Sequence, residues 1–370
     1  MKSKRRSKGK FVSGASLEPL EPIDIGGIDD FDRALAAMEK TSFGGRQLGK
    51  AAAILTEIFT DPNDLTVLTL SGALTIAKQG LIICELIERK LVDVVISTGA
   101  LLTHGLIEGM EKSHFQAPGM PDGELYEKGM CRVYDTIELE TSFDHLQQLL
   151  NENFKKLIPA LDGKTAPSGS GDFHRRLGRI ISEKYPGERS IVAAAYKSNV
   201  PLYVPAFTDS ELALDLFMKN VSESGDFINS PFDKLSVPPF NPFVDLFEFA
   251  SRVHNHDGTL SIFTVGGGVP RNWGQQIAPL FDLMNLDDFP VEPKLYSRGV
   301  RICPEPDHWG GLSGCSYREG VSWAKFLPES EGGTYAEVKA DATVVLPFLV
   351  KGVIQRIEKL KSRRKSKAGK

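Results

Sequence analysis

This 370-residue chain lacks the features that define several common protein classes. It has no run of about 18 apolar residues, so the sequence predicts no membrane-spanning helix. Its basic N-terminus is not followed by the apolar segment of about 7–15 residues that a secretory signal requires. The four cysteines form no CxxC pair and the seven histidines no HExxH motif. We therefore expect a cytoplasmic protein with neither a disulfide framework nor a metal site.

The charge of the chain is unevenly distributed along its length. The net charge is only -4, but residues 1–10 carry six basic side chains, and residues 355–370 carry eight against one glutamate. Residues 11–354 then hold 30 basic and 47 acidic side chains, a net charge of about -17. Such a body attracts small cations and repels nucleic acid, so we expect no nucleic-acid partner.

The hydrophobic fraction of 41% and the charged fraction of 25% are typical of a globular protein. No composition shift divides the chain into separate units. We expect residues 1–28 to be a flexible basic tail and lead-in, residues 29–357 one domain, and residues 358–370 a disordered basic tail.

Short apolar runs alternate with helical segments in a way that predicts an α/β fold. Leu65–Leu70 ends at Ser71–Gly72, a helical stretch follows, and Val92–Ser97 then ends at Thr98–Gly99. A strand, a glycine turn, a helix and a second strand are typical of a parallel βαβ unit. Further strands are predicted at Ser190–Ala195, Leu202–Val204, Leu260–Val265, near Ile302 and at Thr343–Leu349. Helices are predicted over 29–59, 272–284 and Phe348–Leu360. Long loops are predicted over 112–135 and 221–245. The pattern indicates a doubly wound, mostly parallel sheet with an N-terminal helical extension.

Four predicted strands end in small or polar residues, and these ends form the first candidate site. Ligands of open parallel sheets bind at the carboxyl ends of the strands, where glycines and helix N-termini accommodate a pyrophosphate. No GxGxxG is present, so ordinary turn glycines are the competing interpretation. Asp209, which we expect to be buried at a strand end, is a candidate for binding ribose hydroxyls, and its alternative role is to cap the next helix. The four ends are Ser71–Gly72, Thr98–Gly99, Thr208–Asp209 and Gly266–Gly268.

The segment Trp309–Lys325 is the second candidate site. If Glu319 to Lys325 is helical, Glu319 and Trp323 share one face. A lysine beside Trp323 and Phe326 would be desolvated, which disfavours its ammonium form and frees the amine for imine chemistry. The alternative is a surface lysine next to a packing tryptophan.

Seven blocks, in order, resemble the deoxyhypusine synthase family and cover most of residues 30–357. The resemblance implies a Rossmann-like subunit in a homotetramer, with NAD bound at sites between subunits. Members of this family oxidise spermidine with NAD, release diaminopropane, hold the remaining butylimine on a lysine, and pass it to an acceptor amine. The blocks are 42–51, 68–74, 92–108, 200–214, 265–273, 310–325 and 338–350.

The resemblance also assigns roles to individual residues. By match to VSWAK, Lys325 is the imine-forming lysine, and Glu319 and Trp323 occupy substrate-binding positions. Positions that contact NAD in the family correspond to Thr98, Gly99, Asp209, Gly266, Gly267, Asp341 and Ala342, and positions lining the amine channel to His104, Asn272, Gly310 and Gly311.

Some residues depart from the family pattern and leave the acceptor open. Leu214, Leu312 and Thr103 stand where eukaryotic members have channel carboxylates, and Asn272 stands where they have a histidine. Glu319 is then the clearest anionic anchor for a polyamine. The acceptor is either a lysine on the hypusine-bearing translation factor or free putrescine, as in homospermidine synthase. A non-catalytic NAD-binding protein is the alternative from another class.

Overall fold

Two β-sheets organise the chain, which a computed structural model describes for residues 17–158, 168–223, 240–287, 289–310 and 315–368. The strands are β1 (Asp64–Leu70), β2 (Val94–Ser97), β3 (Phe115–Gln116), β4 (Met130–Val133), β5 (Thr136–Leu139), β6 (Leu202–Tyr203), β7 (Thr259–Val265), β8 (Tyr296–Ile302) and β9 (Thr334–Val338). The larger sheet has the order β6-β2-β1-β7-β8-β9, and all of its neighbouring pairs are parallel. This is the strand order of a Rossmann fold, in which the winding reverses between the two central strands, here β1 and β7.

The helices connect these strands and cover the larger sheet on both faces. They are α1 (Phe31–Glu39), α2 (Phe43–Thr60), α3 (Gly80–Glu88), α4 (Gly99–Gly109), α5 (Asp122–Glu127), α6 (Glu140–Glu152), α7 (Phe154–Leu157), α8 (Ser170–Lys184), α9 (Ile191–Ser198), α10 (Glu211–Glu223), α11 (Pro242–His254), α12 (Gly268–Gln275), α13 (Ile277–Leu286), α14 (Tyr317–Val321) and α15 (Ala342–Ala368). Among the described residues, none of these helices is both long and apolar enough to cross a bilayer.

The two faces of the sheet bury separate sets of apolar side chains. All seven residues of β1 are buried, and they alternate between the faces because strand side chains point to opposite sides in turn. Leu68 and Leu70 pack into the cluster that includes α2, α3 and α15, while Leu65 and Val67 pack with residues of α11 and α13. Each fully buried side chain of this size stabilises the fold by about 1.5–3 kcal/mol. The doubly wound fold predicted from the sequence is confirmed.

The N-terminal helical extension is present and has the predicted start. The Asp30 carboxylate accepts a hydrogen bond from the Arg33 backbone N–H at 2.8 Å and so caps α1. The sequence predicts two helices over residues 29–59 with a break at Gly44–Gly45, and the structure has two, α1 and α2, which pack against each other. Helix α2 begins at Phe43, so Gly44 and Gly45 lie in its first turn. Of the predicted tail and lead-in, residues 1–16 lie outside the described part of the chain.

Two of the predicted strands are helical in the structure. Ser190 accepts a hydrogen bond from the Ala193 backbone N–H, and the following apolar run forms α9 because its three alanines favour a helix. The Asp341 carboxylate accepts hydrogen bonds from the backbone and hydroxyl of Thr343, which starts α15 where a strand was predicted over Thr343–Leu349. Short apolar runs are ambiguous between strand and helix, and local caps decide both cases.

The C-terminal segment also differs from its prediction. The sequence predicts a disordered tail from residue 358, but α15 continues to Ala368. Lys359 Nζ donates to the carboxylates of Asp30 and Asp32 at 2.6 and 2.9 Å, and Arg356 Nε donates to Asp32 at 2.6 Å. These contacts anchor α15 on α1 and support the continuation of the helix.

A small antiparallel sheet replaces most of the first predicted loop. Residues 112–135 contain β3, α5 and β4, and the sheet has the order β3-β5-β4. Met130 to Val133 pair with Leu139 to Thr136 in register. Of the second predicted loop, 224–239 lie outside the described residues, and its ends belong to α10 and α11.

Candidate active site

The carboxyl ends of β1 and β7 meet where the winding of the sheet reverses. Ser71 follows β1, and its Oγ accepts a hydrogen bond from the Gly267 backbone N–H at 2.8 Å. Gly266 has φ +88°, a conformation that favours glycine, and a Cβ added there would overlap Ser71 Oγ. Helix α12 begins directly after this turn and has no side-chain cap on its first N–H groups. As far as the described residues go, the arrangement leaves backbone donors free at the place where Rossmann folds bind dinucleotides.

The next strand end provides a second helix N-terminus at the same edge. Thr98 is the N-cap residue of α4 but makes no side-chain capping bond, so this helix also presents N–H groups that no side chain of the described residues caps. Gly99 is required by packing, because a Cβ there would overlap the Ser210 side chain. Thr98, Gly99, Gly266 and Gly267 therefore lie along one sheet edge, with Thr98 two strand spacings, about 10 Å, from Gly266. These residues fit a dinucleotide.

The other predicted NAD contacts flank this region. Asp209 lies beside Gly99 in the turn before α10, but its side chain is exposed rather than buried as predicted. Its alternative role as a cap belongs to Ser210, whose Oγ accepts from the Ala213 backbone N–H at 3.4 Å. Asp341 and Ala342 lie after β9, three strand spacings or about 14 Å from β1. Asp341 and Ala342 therefore lie on the same sheet edge but away from Thr98, Gly99, Gly266 and Gly267.

Lys325 is buried close to the glycine turn. The residue is 8% exposed, and its Nζ donates a hydrogen bond to Asn272 Oδ1 at 3.1 Å. Asn272 lies on α12, the helix that begins after Gly267. Burial lowers the pKa of Lys325, the nearby Arg271 guanidinium lowers it further, and Cys315 and Glu319 oppose the shift. The desolvated lysine predicted from the sequence is present, and its amine has an increased neutral fraction.

Two buried arginines line the region between Lys325 and the glycine turn. Arg271 is 4% exposed, lies over the Tyr317 ring at 5.8 Å, and has no hydrogen-bond partner for Nε or Nη2 among the described residues. Arg301 is 1% exposed and donates to the backbone oxygens of Gly266 and Cys315 at 3.3 and 3.1 Å. Nothing in the sequence marks either arginine as buried, so the sequence does not predict these two cations.

The predicted substrate-binding residues lie at the surface around Lys325. Helix α14 ends at Val321, so the condition under which Glu319 and Trp323 share one helix face, a helix from Glu319 to Lys325, is not met. Ala324 has φ +51° and turns the chain, and Lys325 continues into an extended segment in which Phe326 pairs with Tyr296. Glu319 is exposed and Trp323 is 65% exposed, so the Trp323 ring does not supply the burial of Lys325.

The other residues of the predicted amine channel are His104, Gly310 and Gly311. Gly310 is exposed with φ +66°, and Gly311 lies outside the described residues. His104 lies on α4, where its Nδ1 is 2.5 Å from Glu138 Oε2. Among the described residues, no hydrogen bond or ion pair joins His104 to Lys325. Its partner Glu138 lies 34 residues away in the sequence, and no spacing motif predicts this contact.

Comparisons with known proteins identify the family of this chain. A sequence model of the family described as deoxyhypusine synthase matches residues 34–353. The protein named "Probable deoxyhypusine synthase 2" of Archaeoglobus fulgidus is 33% identical over 318 residues, which cover 86% of this chain and 96% of that protein. The protein of the same name from Methanosarcina acetivorans is 29% identical over 344 residues, 93% of this chain and 92% of its own length.

A solved structure supports the fold independently. A crystal structure described as a candidate deoxyhypusine synthase from Entamoeba histolytica covers 90% of this chain and 96% of its own, with a TM-score of 0.51 and 13% identity. The family resemblance carried by the seven sequence blocks is confirmed. The chain belongs to the deoxyhypusine synthase family.

Proposed function

We propose that this protein transfers a 4-aminobutyl group from spermidine to an acceptor amine, with NAD as cofactor and Lys325 as the covalent carrier. The observation that carries the proposal is the buried Nζ of Lys325, held by Asn272 on the helix that begins at the glycine turn. A lysine with a lowered pKa beside a second buried cation is typical of imine-forming lysines. Bound NAD would accept a hydride from spermidine and return it at the end of the reaction.

The residues of this chain divide the remaining chemistry between them. The neutral amine of Lys325 attacks the oxidised carbon of spermidine, forms a C=N bond to the aminobutyl group, and displaces 1,3-diaminopropane. The acceptor amine then displaces Nζ from the same carbon, and reduction of the new C=N bond completes the transfer. Asn272 orients Nζ through its side-chain oxygen. Glu319 places a carboxylate within electrostatic range of Nζ and is suited to hold an ammonium group of the polyamine.

The cofactor would lie across the sheet edge described above. The uncapped N-termini of α4 and α12 are suited to the pyrophosphate, and the absence of side chains at Gly266 and Gly267 lets the backbone approach it closely. Asp209, at the outer end of this edge, is suited to accept hydrogen bonds from ribose hydroxyls.

Trapping of the lysine adduct tests the proposal directly. The protein is incubated with spermidine and NAD, reduced with borohydride, digested, and analysed by mass spectrometry. We expect the peptide containing Lys325 to gain one aminobutyl group. Lys325→Arg keeps the positive charge but cannot form the imine, so it should fold, bind NAD and transfer nothing. The exposed Lys128 provides a control, and Lys128→Arg should be labelled like the wild type. An adduct on another lysine, or full transfer by Lys325→Arg, would show that Lys325 is not the nucleophile.

The acceptor is tested in the same assay with two substrates. One reaction contains the hypusine-bearing translation factor and the other contains putrescine, both with spermidine labelled in its aminobutyl group. Label on a lysine of the factor assigns deoxyhypusine synthase activity, and label in homospermidine assigns the polyamine reaction. If Lys325 is not labelled and no product forms with either acceptor, the protein is not an aminobutyl transferase.

A further inference from the structure

Three side chains that are distant in the sequence converge beside α4, on the β2 side of the sheet. His104 Nδ1 lies 2.5 Å from Glu138 Oε2, and His114 Nε2 lies 3.3 Å from Glu138 Oε1. The side chains of His114 and Glu138 are each 1% exposed, and that of His104 is 17% exposed. One nitrogen or oxygen atom from each of the three residues lies within 4.8 Å of the others. We call His104, His114 and Glu138 the His–Glu cluster.

The hydrogen bonding of the His–Glu cluster is incomplete in a way that points to a cation. His114 Nδ1 lies 3.2 Å from Glu108 Oε1, and because a carboxylate only accepts, this nitrogen carries the proton. In neutral His114, Nε2 then has a lone pair that faces a carboxylate oxygen. His114 Nε2 and Glu138 Oε1 are both buried, and within the described part of the chain neither has a hydrogen-bond partner. Two facing lone pairs in a buried site repel each other unless a positive centre lies between them.

We propose that the His–Glu cluster is a binding site for a divalent transition-metal ion of the zinc type. Two imidazoles and one carboxylate are a ligand set that zinc uses in three-ligand sites. Tetrahedral zinc with bonds of about 2.0 Å places its ligand atoms about 3.3 Å apart, which is the separation of His114 Nε2 and Glu138 Oε1. The pair formed by His104 and Glu138 needs to open by about 0.8 Å when a metal replaces the shared proton.

The surroundings of the His–Glu cluster match those of a metal site. Glu108 accepts from the non-ligating nitrogen of His114 and so fixes the tautomer and the orientation of the ring, as outer carboxylates do around protein-bound zinc. Lys78 forms an ion pair with Glu108. With neutral histidines, the side chains of Glu108, Glu138 and Lys78 carry a net charge of -1, which favours a cation. The partial exposure of His104 leaves the fourth coordination position on the solvent side.

The metal would connect two parts of the fold. His104 lies on α4, Glu138 on β5 of the small sheet, and His114 in the segment that joins α4 to β3. A metal held by all three fixes the small sheet against the helix whose N-terminus belongs to the proposed cofactor edge. The ligands lie on regular elements or close to their ends, which favours a defined geometry. This inference does not depend on the aminobutyl transfer, because neither Lys325 nor NAD takes part in it.

Metal titration of the full chain tests the proposal. The protein is treated with a chelator and dialysed, and zinc is titrated against a chromophoric competitor, with metal content measured by mass spectrometry. We expect about one zinc ion per chain. The near-isosteric variants His114→Gln and Glu138→Gln should bind zinc at least about 10-fold more weakly. The exposed His145 provides a matched control, and His145→Gln should bind like the wild type.

Three further measurements use the wild-type chain, so the proposal stays testable if the variants do not fold. Zinc should raise the midpoint of thermal unfolding of the wild type, since an ion that binds only the folded chain stabilises it. Zinc should also protect the partly exposed His104 of the wild type from carbethoxylation, as mapped by peptide mass, while His145 stays reactive. A wild-type chain that binds no zinc at micromolar concentration, or zinc that leaves His104 unprotected, overturns the proposal and identifies the cluster as a protonated hydrogen-bond pair. Cobalt in place of zinc should give an absorption spectrum of four-coordinate geometry, and an octahedral spectrum also contradicts it.

Discussion

At the scale of single residues, the environment of Lys325 determines whether its amine can react. Burial removes water from the ammonium, and the buried Arg271 adds repulsion, so both lower the pKa of Lys325. Cys315 and Glu319 act in the opposite direction. A group with a lowered pKa loses its proton at lower pH than an ordinary lysine, and imine formation should extend correspondingly further toward neutral pH.

Replacement of Arg271 should move this pH dependence. In Arg271→Gln the nearby positive charge is gone, the ammonium of Lys325 becomes more favourable, and its pKa rises. The midpoint of the adduct-formation profile should therefore move to higher pH, and the rate below the midpoint should fall about two- to fivefold. The measurement is the borohydride-trapped adduct at a series of pH values. Arg271→Lys should restore the wild-type profile, and Arg318→Gln, which removes an exposed arginine of α14, should leave it unchanged. An unchanged midpoint in Arg271→Gln would mean that burial alone sets the pKa of Lys325.

At the scale of elements, the turn after β7 is the point on which the proposed cofactor site depends. Its conformation requires glycine at residue 266, and its contact with Ser71 links the ends of β1 and β7. Helix α12 continues from this turn to Asn272 and so couples the position of the turn to that of Lys325. A change at the turn should therefore alter both the proposed cofactor site and the position of Lys325.

Gly266→Ala should weaken NAD binding at least about 10-fold and lower the free energy of unfolding by about 1–3 kcal/mol. The loss of affinity follows because the new Cβ overlaps Ser71 Oγ and displaces the backbone that faces the cofactor. Calorimetric titration with NAD and thermal unfolding measure the two effects. Gly332 is the matched control, since it has φ +103° but open space around an added Cβ. Gly332→Ala should lose stability and keep NAD affinity, and normal NAD binding by Gly266→Ala would exclude this turn from the cofactor site.

The elements that the sequence predicts correctly are those with two agreeing signals. Strands β1, β2 and β7 combine a β-branched apolar run with a following glycine or serine turn, and the structure confirms all three. The run over 190–195 has the apolar residues without the turn, and Ser190 caps it as a helix. The match to the family blocks was enough to assign Lys325 from the sequence. The contact partners of a buried side chain, in contrast, depend on how the folded chain packs. For that reason the sequence indicated neither the burial of Arg271 nor the convergence on Glu138.

At the scale of the whole molecule, the proposed site of a single chain is open on one side. Lys325 is buried, but Trp309 and Trp323 are 72% and 65% exposed, and Glu319 is also exposed. Large exposed aromatic side chains beside a reactive group are typical of a surface that another protein covers. The acidic body and the proposed sharing of sites between subunits fit this arrangement, since a polyamine enclosed between two acidic surfaces keeps its charges compensated.

Complementation between two inactive variants tests whether the site is shared. Lys325→Ala removes the covalent carrier, and Asp209→Ala removes a proposed cofactor contact on the β6 side of the sheet. If each site takes these residues from different chains, random co-assembly of the two variants regenerates about a quarter of the sites, because half of the pairs are mixed and each mixed pair holds one intact site. We expect light scattering to give an oligomer and the mixture to recover about a quarter of wild-type transfer, while each variant alone stays inactive. Lys325→Ala mixed with Lys325→Arg is the control and should recover nothing. An active monomer, or a mixture as inactive as its components, would place Asp209 and Lys325 of one site in the same chain.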